Sequence, residues 1–495
     1  MKKFISMLLS LTLMLGCFGI CATATTADPA IPTADYTLPE NNGLPLIVVS
    51  GMDFTGLYFD ADNPETKAPA IKSVSFSGIV KTLGRAISAA IKGFSLTPAV
   101  EVIADYVADI LGGIACDKSG NSKYNVSVKT FPEAASSYPV FSEFGGSCEM
   151  GIVRDASRRF GGENVYYFFY DWRIDPYINS DALYTMIQKA KTEHNCDKVN
   201  IICISMGGIV TINYLDKYGH DDIANIVFNS STVYGTYVAT DLYNGRVKFD
   251  PVALYNFLSY TTKDNKLLST TIKLANKTGL IGKLTNIANK FSDKYKDIIY
   301  GKVLTETMGT IPGYWATMTP EDYDSAIEFM FGENREEYAE IIAITDRLHD
   351  VAVRRDEIIN AAKNDGVNIS FIACYNIPLA PVYEHAATQG DGTLETTLMS
   401  CGATVADIGS VLSEEYLAQA DLAFVSQDKL IDASTCTYRD MTWFVKDCKH
   451  VGGRDCSDFN DLLFTLAYAE NQVTVDSYEL FPRFLVADAY QNFIY

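Results

Sequence analysis

The sequence predicts an α/β fold: a mostly parallel central sheet covered by helices on both faces, with helical lid and cap insertions. Three observations predict it. Short apolar runs of strand length alternate with helical segments, the pattern of a parallel sheet buried on both sides. One run, Val199 to Ile204, breaks at Ser205-Met206-Gly207-Gly208 and resumes at once as a helix through Tyr218, closed by Gly219. Two long segments, 60–147 and 237–365, interrupt the alternation with helical patterns of their own and exceed ordinary loops.

In chain order, residues 1–24 read as a signal peptide. Lys2-Lys3 is the charged start, Phe4 to Ile20 the apolar stretch and Ala22-Thr23-Ala24 the small-residue cleavage site. This predicts secretion. The alternative is a membrane-anchored lipoprotein processed at Cys17, against which stand Met14 and an apolar run that continues past the cysteine. No later segment is long and apolar enough to span a bilayer.

Residues 25–236 form the first part of the core. Leu44 to Ser50 is a buried strand ending in Gly51-Met52-Asp53. The 60–147 insertion holds two amphipathic helices. One carries Ile79, Leu83, Ile87 and Ile91. The other starts at Thr97-Pro98 and carries Val100, Ile103, Ala104, Val107 and Leu111 up to Gly112-Gly113. They read as a lid or as plain packing on the core. Tyr124 to Thr130 alternates like an edge strand. Asn164 to Tyr170 is the next core strand, followed by Asp171-Trp172-Arg173 and a helix from about Asp181 to Lys191. Ile223 to Phe228 follows the Ser205 helix as another strand.

Residues 237–365 read as a helical cap, rich in lysine between Lys263 and Lys302, with helices from Thr319 to about Phe331 and from Tyr338 to Asn364. The lysines read as a solvated face, with a headgroup-binding patch as the alternative. Met308 to Trp315 reads as a structured loop. Residues 366–495 complete the core: a strand Val367 to Tyr375, a Gly390-Asp391-Gly392-Thr393 turn, a last strand Met441 to Val445, a loop with His450 and a helix from about Phe459 to Ala469.

The formal charge of −21 excludes nucleic acid as an electrostatic partner and gives no pull toward anionic membranes. Eleven cysteines fall to nine without the signal peptide. Export permits disulfides, and Cys448 with Cys456, Cys116 with Cys148 and Cys401 with Cys436 could bridge. Cys203 and Cys374 lie in apolar strands and read as buried thiols. No cysteine–histidine cluster suggests a metal site, and no cofactor is expected.

The stretch around Ser205 carries the chemistry. A serine on a sharp strand-to-helix turn is a nucleophile elbow: its hydroxyl leaves the sheet and the N–H of the next residue, Met206, faces the same space. Gly207 and Gly208 supply the small residues such a turn needs, while Cys203 replaces the usual first glycine. Acyl transfer also needs a base, a carboxylate to orient it and a second oxyanion donor. In this architecture the order along the chain is serine, acid, histidine. Of five histidines, only His450 follows the last core strand in a glycine-containing loop. Asp391 follows the preceding strand in a glycine-flanked turn, with Asp407 and Glu395 as the other carboxylates to weigh. The N–H of Met52 is the second donor, because Gly51 lets that backbone turn toward the serine. The prediction is thus an α/β-hydrolase fold.

These residues also suggest a family. Ser205-Met206-Gly207-Gly208, Tyr170-Asp171-Trp172-Arg173 and Gly390-Asp391-Gly392-Thr393 together resemble the lecithin–cholesterol acyltransferase family, which includes lysosomal phospholipase A2 and phospholipid:diacylglycerol acyltransferases. The resemblance covers about 44–236 and 366–452. It implies a triad of Ser205, Asp391 and His450, an oxyanion N–H from Met52, and support of the site by Trp172 and Arg173. Cys203-Ile204 stands where the family has Gly-His before the serine, and the residue before Gly51 also differs, so the resemblance is distant.

The expected function is therefore a secreted serine hydrolase that cleaves carboxylic esters of lipids through an acyl-enzyme. The partners are a lipid or other ester substrate, with transient contact with lipid surfaces. Lipid O-acyl transfer through the same acyl-enzyme is the alternative. A peptidase or amidase, and a catalytically dead binding protein, are further ones.

Overall fold

A computed structural model of the chain describes residues 42–60, 68–73, 76–142, 147–453 and 455–494. The signal peptide read over residues 1–24 and the Cys17 alternative lie outside the described residues.

The strands are β1 (Leu46–Val49), β2 (Leu57–Phe59), β3 (Ala68–Pro69), β4 (Val126–Val128), β5 (Val165–Phe168), β6 (Val199–Ile204), β7 (Ile223–Asn229), β8 (Asn368–Tyr375), β9 (Thr404–Val405), β10 (Ile431–Asp432), β11 (Thr442–Lys446) and β12 (Phe484–Val486). Seven of them make one sheet in the order β12-β11-β8-β7-β6-β1-β5, and every pairing is parallel. Strands β2, β3 and β4 form a small antiparallel sheet at the start of and within the first insertion, so the segment read as an edge strand pairs there and not with the main sheet.

The near-continuous apolar runs have a direct cause: both faces of the sheet are covered. Ile47, Val49, Ile201, Cys203, Ile226 and Phe228 point to one side, and Leu46, Val48, Ile202, Ile204 and Val227 to the other. The helices of the first part are α1 (Phe76–Gly93), α2 (Thr97–Leu111), α3 (Cys148–Phe160), α4 (Pro176–His194) and α5 (Gly207–Tyr218). The cap contributes α6 (Tyr237–Tyr243), α7 (Pro251–Thr261), α8 (Lys266–Lys277), α9 (Leu280–Ile299), α10 (Tyr323–Phe331) and α11 (Ala339–Asn364), and α12 (Asp458–Ala467) closes the core. Helices α4, α5 and α11 cover the first face; α3 and α12 cover the second. This is the α/β-hydrolase arrangement. No helix among the described residues is long and apolar enough to cross a membrane.

Several details depart from the sequence reading. Helix α4 begins at Pro176, ahead of the apolar periodicity, because the Asp175 side chain accepts the Tyr177 N–H at 2.9 Å and proline fits the first helical position. Strand β12 was not anticipated; it is three residues long and lies at the sheet edge. Met308 to Trp315, expected as a loop, is the end of a π-helix (Tyr300–Met308) followed by a helical turn at Pro312–Trp315. The cysteines Cys401, Cys436 and Cys456 are free thiols. The Cys448 thiol faces the Lys449 carbonyl, whereas that of Cys456 faces Asp155 and Arg158, so the proposed local bridge is not formed.

Candidate active site

The parallel sheet brings the carboxyl ends of its strands to one rim, where open α/β sheets bind ligands. Val49 of β1 pairs in register with Cys203 of β6, so the loops that start at Ser50 and Ser205 emerge side by side. Ser205 takes φ +51°, a left-handed conformation that costs a serine energy and is kept only where the surroundings over-determine it. They do so here. Its N–H donates to the Asn229 carbonyl at 3.1 Å, and its own carbonyl accepts from the Gly208 and Thr232 N–H groups and the Ser231 and Thr232 hydroxyls. Gly207 is required by close approach: a Cβ there would stand 2.6 Å from the Val49 carbonyl and 2.7 Å from that of Ser50. Cys203 fits where glycine was expected because its thiol lies in the core and donates to the Val227 carbonyl at 3.5 Å. Burial pushes that thiol well up, which keeps it protonated and inert.

Gly51 touches the serine: a Cβ built on it would meet the Ser205 Cβ at 2.8 Å. Met52 follows directly, and Met206 follows Ser205. Neither N–H donates to a protein acceptor among the described residues.

Asp391 and His450 are brought together. The Asp391 Oδ2 lies 2.7 Å from His450 Nδ1, and the His450 N–H donates to the Asp391 carbonyl at 2.9 Å. The other carboxylate oxygen accepts the N–H groups of Thr393 and Leu394 at 2.9 and 2.8 Å, which fixes its aim. The aspartate side chain is fully buried and the histidine 19% exposed. This geometry places the Nδ1 proton toward the carboxylate and leaves Nε2 to accept a proton. Among the described residues no hydrogen bond joins Ser205 Oγ to His450. The two are linked instead through Asn229, whose side-chain amide donates to the Val451 carbonyl at 2.7 Å.

The other carboxylates considered have other tasks. Glu395 accepts from Thr236, the Tyr237 N–H and Tyr383, which anchors the start of α6. Asp407 meets the Gln389 side chain through its carbonyl. His385 forms its own pair, Nδ1 to Asp241 of the cap at 2.8 Å.

Trp172 and Arg173 do not reach the serine's hydroxyl; they tie the surrounding segments together. Trp172 Nε1 donates to the Asp53 carbonyl at 3.1 Å, which holds the Met52 loop, and its ring packs on Phe54. Arg173, fully buried, is bidentate to Asp171 at 2.9 and 2.6 Å and donates to the carbonyls of Ile114 and Val126 in the first insertion. Its carbonyl accepts the Gly313 N–H of the cap at 3.1 Å. Gly313 presses so close that a Cβ would stand 1.8 Å from the Trp172 carbonyl and 2.8 Å from Met206 Cε.

Sequence reasoning missed Glu149, on the first turn of α3. Its Oε1 accepts the Gly51 N–H at 2.9 Å and its Oε2 accepts the Tyr167 hydroxyl at 2.7 Å. Burial raises its carboxyl above the ordinary range, with the Gly51 and Tyr167 hydrogen bonds and the nearby His450 opposing that shift. The only signal for it was an acidic residue in the first turn after Ser147, which many helices share.

No family model matches this chain, and no curated protein matches it. Among solved structures it is similar to the Tle4–Tli4 complex, with a TM-score of 0.29 and 10% identity over 67% of this chain and 75% of that one.

Proposed function

We propose that this protein is a serine hydrolase that cleaves carboxylic esters of lipids through an acyl-enzyme on Ser205. One observation carries the reading: a serine held at positive φ on a strand-to-helix turn shares a sheet rim with the Asp391–His450 pair. Ser205 Oγ attacks the ester carbonyl carbon while His450 Nε2 takes its proton, and Asp391 stabilises the resulting imidazolium. The N–H groups of Met52 and Met206 receive the oxyanion. The tetrahedral intermediate then expels the alcohol, which takes the proton back from His450. Water, activated by the same histidine, releases the acid and restores the serine. The apolar surroundings Met52, Phe54, Trp172 and Met206, and a serine only 8% exposed, support a lipid acyl chain over a polar substrate.

The test is fluorophosphonate labelling of the purified protein beside Ser205→Ala, with competition by short- and long-chain esters. Labelling of wild type alone, competed best by long chains, is the expected result. Equal labelling of the alanine variant, or none of wild type in detergent, overturns the reading. The same samples with an added alcohol reveal whether the acyl group also passes to a hydroxyl.

A further inference from the structure

Helix α3 grips both loops that the proposed chemistry needs. Glu149 holds the loop after β1 through the Gly51 N–H. Gly151, two residues on, lies so close to the histidine loop that a Cβ would stand 2.6 Å from the Gly453 carbonyl. Arg154, almost fully buried, reaches the same loop with two bonds to Asp455, at 3.0 and 2.7 Å. Ile152, Val153 and Ala156 anchor the helix to the sheet, so it is a rigid bracket.

Within that bracket Glu149 is costly. A half-buried carboxylate gives up part of its hydration, and helix capping does not require it. The Ser147 hydroxyl already accepts the Met150 N–H of this helix at 3.3 Å. The groups facing Glu149 come from three other elements: Tyr167 and Tyr170 on and after β5, Asp53 in the loop after β1, and His450 in the loop after β11. Buried titratable groups that combine desolvation with a specific charge partner concentrate at functional sites.

We propose that Glu149 is a positioning residue for acyl transfer: it pins the Gly51 peptide so that the next N–H, that of Met52, faces the developing oxyanion. The proposal rests on the serine-hydrolase reading. It adds a residue outside the serine–aspartate–histidine set, acting through backbone direction and not through contact with substrate.

The experiment compares wild type, Glu149→Ala and Glu149→Gln in turnover of a soluble p-nitrophenyl ester, with fluorophosphonate labelling and thermal melting alongside. Alanine releases the Gly51 peptide, so kcat falls about 100-fold, the scale of losing one oxyanion donor, with little change in KM. Glutamine still accepts the Gly51 N–H but carries no charge. It restores most of kcat, because the hydrogen bond to the Gly51 peptide and not the charge sets the direction of the Met52 N–H. A folded alanine variant with wild-type kcat overturns the proposal. So does a folded glutamine variant whose kcat falls about 100-fold although it keeps the acceptor for the Gly51 N–H, and this second criterion stands even if the alanine variant fails to fold. A wild-type protein that neither labels nor turns over ester overturns the hydrolase reading itself, an outcome distinct from either of these.

Discussion

The side-chain amide of Asn229 donates to the main-chain carbonyl of Val451 across 2.7 Å. The Asn229 carbonyl meanwhile accepts the Ser205 N–H at 3.1 Å. The end of β7 thus sets the spacing between the serine turn and the histidine loop. Asn229→Ala removes the donor to a buried carbonyl, so stability should fall by about 1–3 kcal/mol. Ester turnover should fall further than that loss explains, with kcat reduced more than KM changes. Thermal melting and steady-state kinetics on the same preparation check it; wild-type kcat in the variant would show that the tether is dispensable.

Gly51 is the narrowest contact at the serine. An added methyl would stand 2.8 Å from Ser205 Cβ and 3.1 Å from Glu149 Oε1. Gly51→Ala should slow fluorophosphonate labelling by about 100-fold, since it displaces both the nucleophile and an oxyanion donor. The stability cost should be that of ordinary overpacking, about 1–3 kcal/mol. Labelling rates and melting curves separate the two effects.

Arg173 is structural. Replacing it with methionine leaves Asp171 without its guanidinium and the Ile114 and Val126 carbonyls without their donor. Breaking such a buried pair costs about 3–5 kcal/mol. Denaturant unfolding should show that loss, while the folded fraction still labels at Ser205. Intact stability in Arg173→Met would refute the role assigned to it.

Glu395 predicts a pH dependence. Its side chain is fully buried among Thr236, Tyr237 and Tyr383, and burial raises its carboxyl above the ordinary range. The folded chain therefore holds this proton more tightly than the unfolded chain does. Its stabilising contribution is complete below the unfolded value and is lost as pH rises through the folded one. Melting temperatures of wild type and Glu395→Gln, measured from acid to neutral pH, should shift in favour of the variant as pH rises. A constant difference would rule out this linkage.

The core strands were legible because both faces of the sheet are covered, so β1, β6 and β7 show near-continuous apolar runs. Ser205 was legible because the close approach at Gly207 forces a small residue after the turn. Asp391 and His450 could be found because chain order and flanking glycines are local signals; Gly392 does take a left-handed φ of +95°. Glu149 was not legible. Its partners lie 98 and 18 residues away, one of them is a backbone N–H, and nothing near it in sequence records either contact. Strand β12 escaped for a related reason: three edge residues, only one of them fully buried, make no period. The bridge from Cys448 to Cys456 was a spacing argument, and spacing does not say which way a thiol points.

The contact of Gly313 with Trp172 and Met206 bears on how such proteins can be recombined. The middle of the cap is keyed into the floor of the site, and a side chain at that one position would push against it. A chimaera cut at the outer borders of the cap would import a foreign key together with its helices. The natural seams lie further out, between α7 and α9, where no residue of α8 is buried and sequence can drift without disturbing the serine.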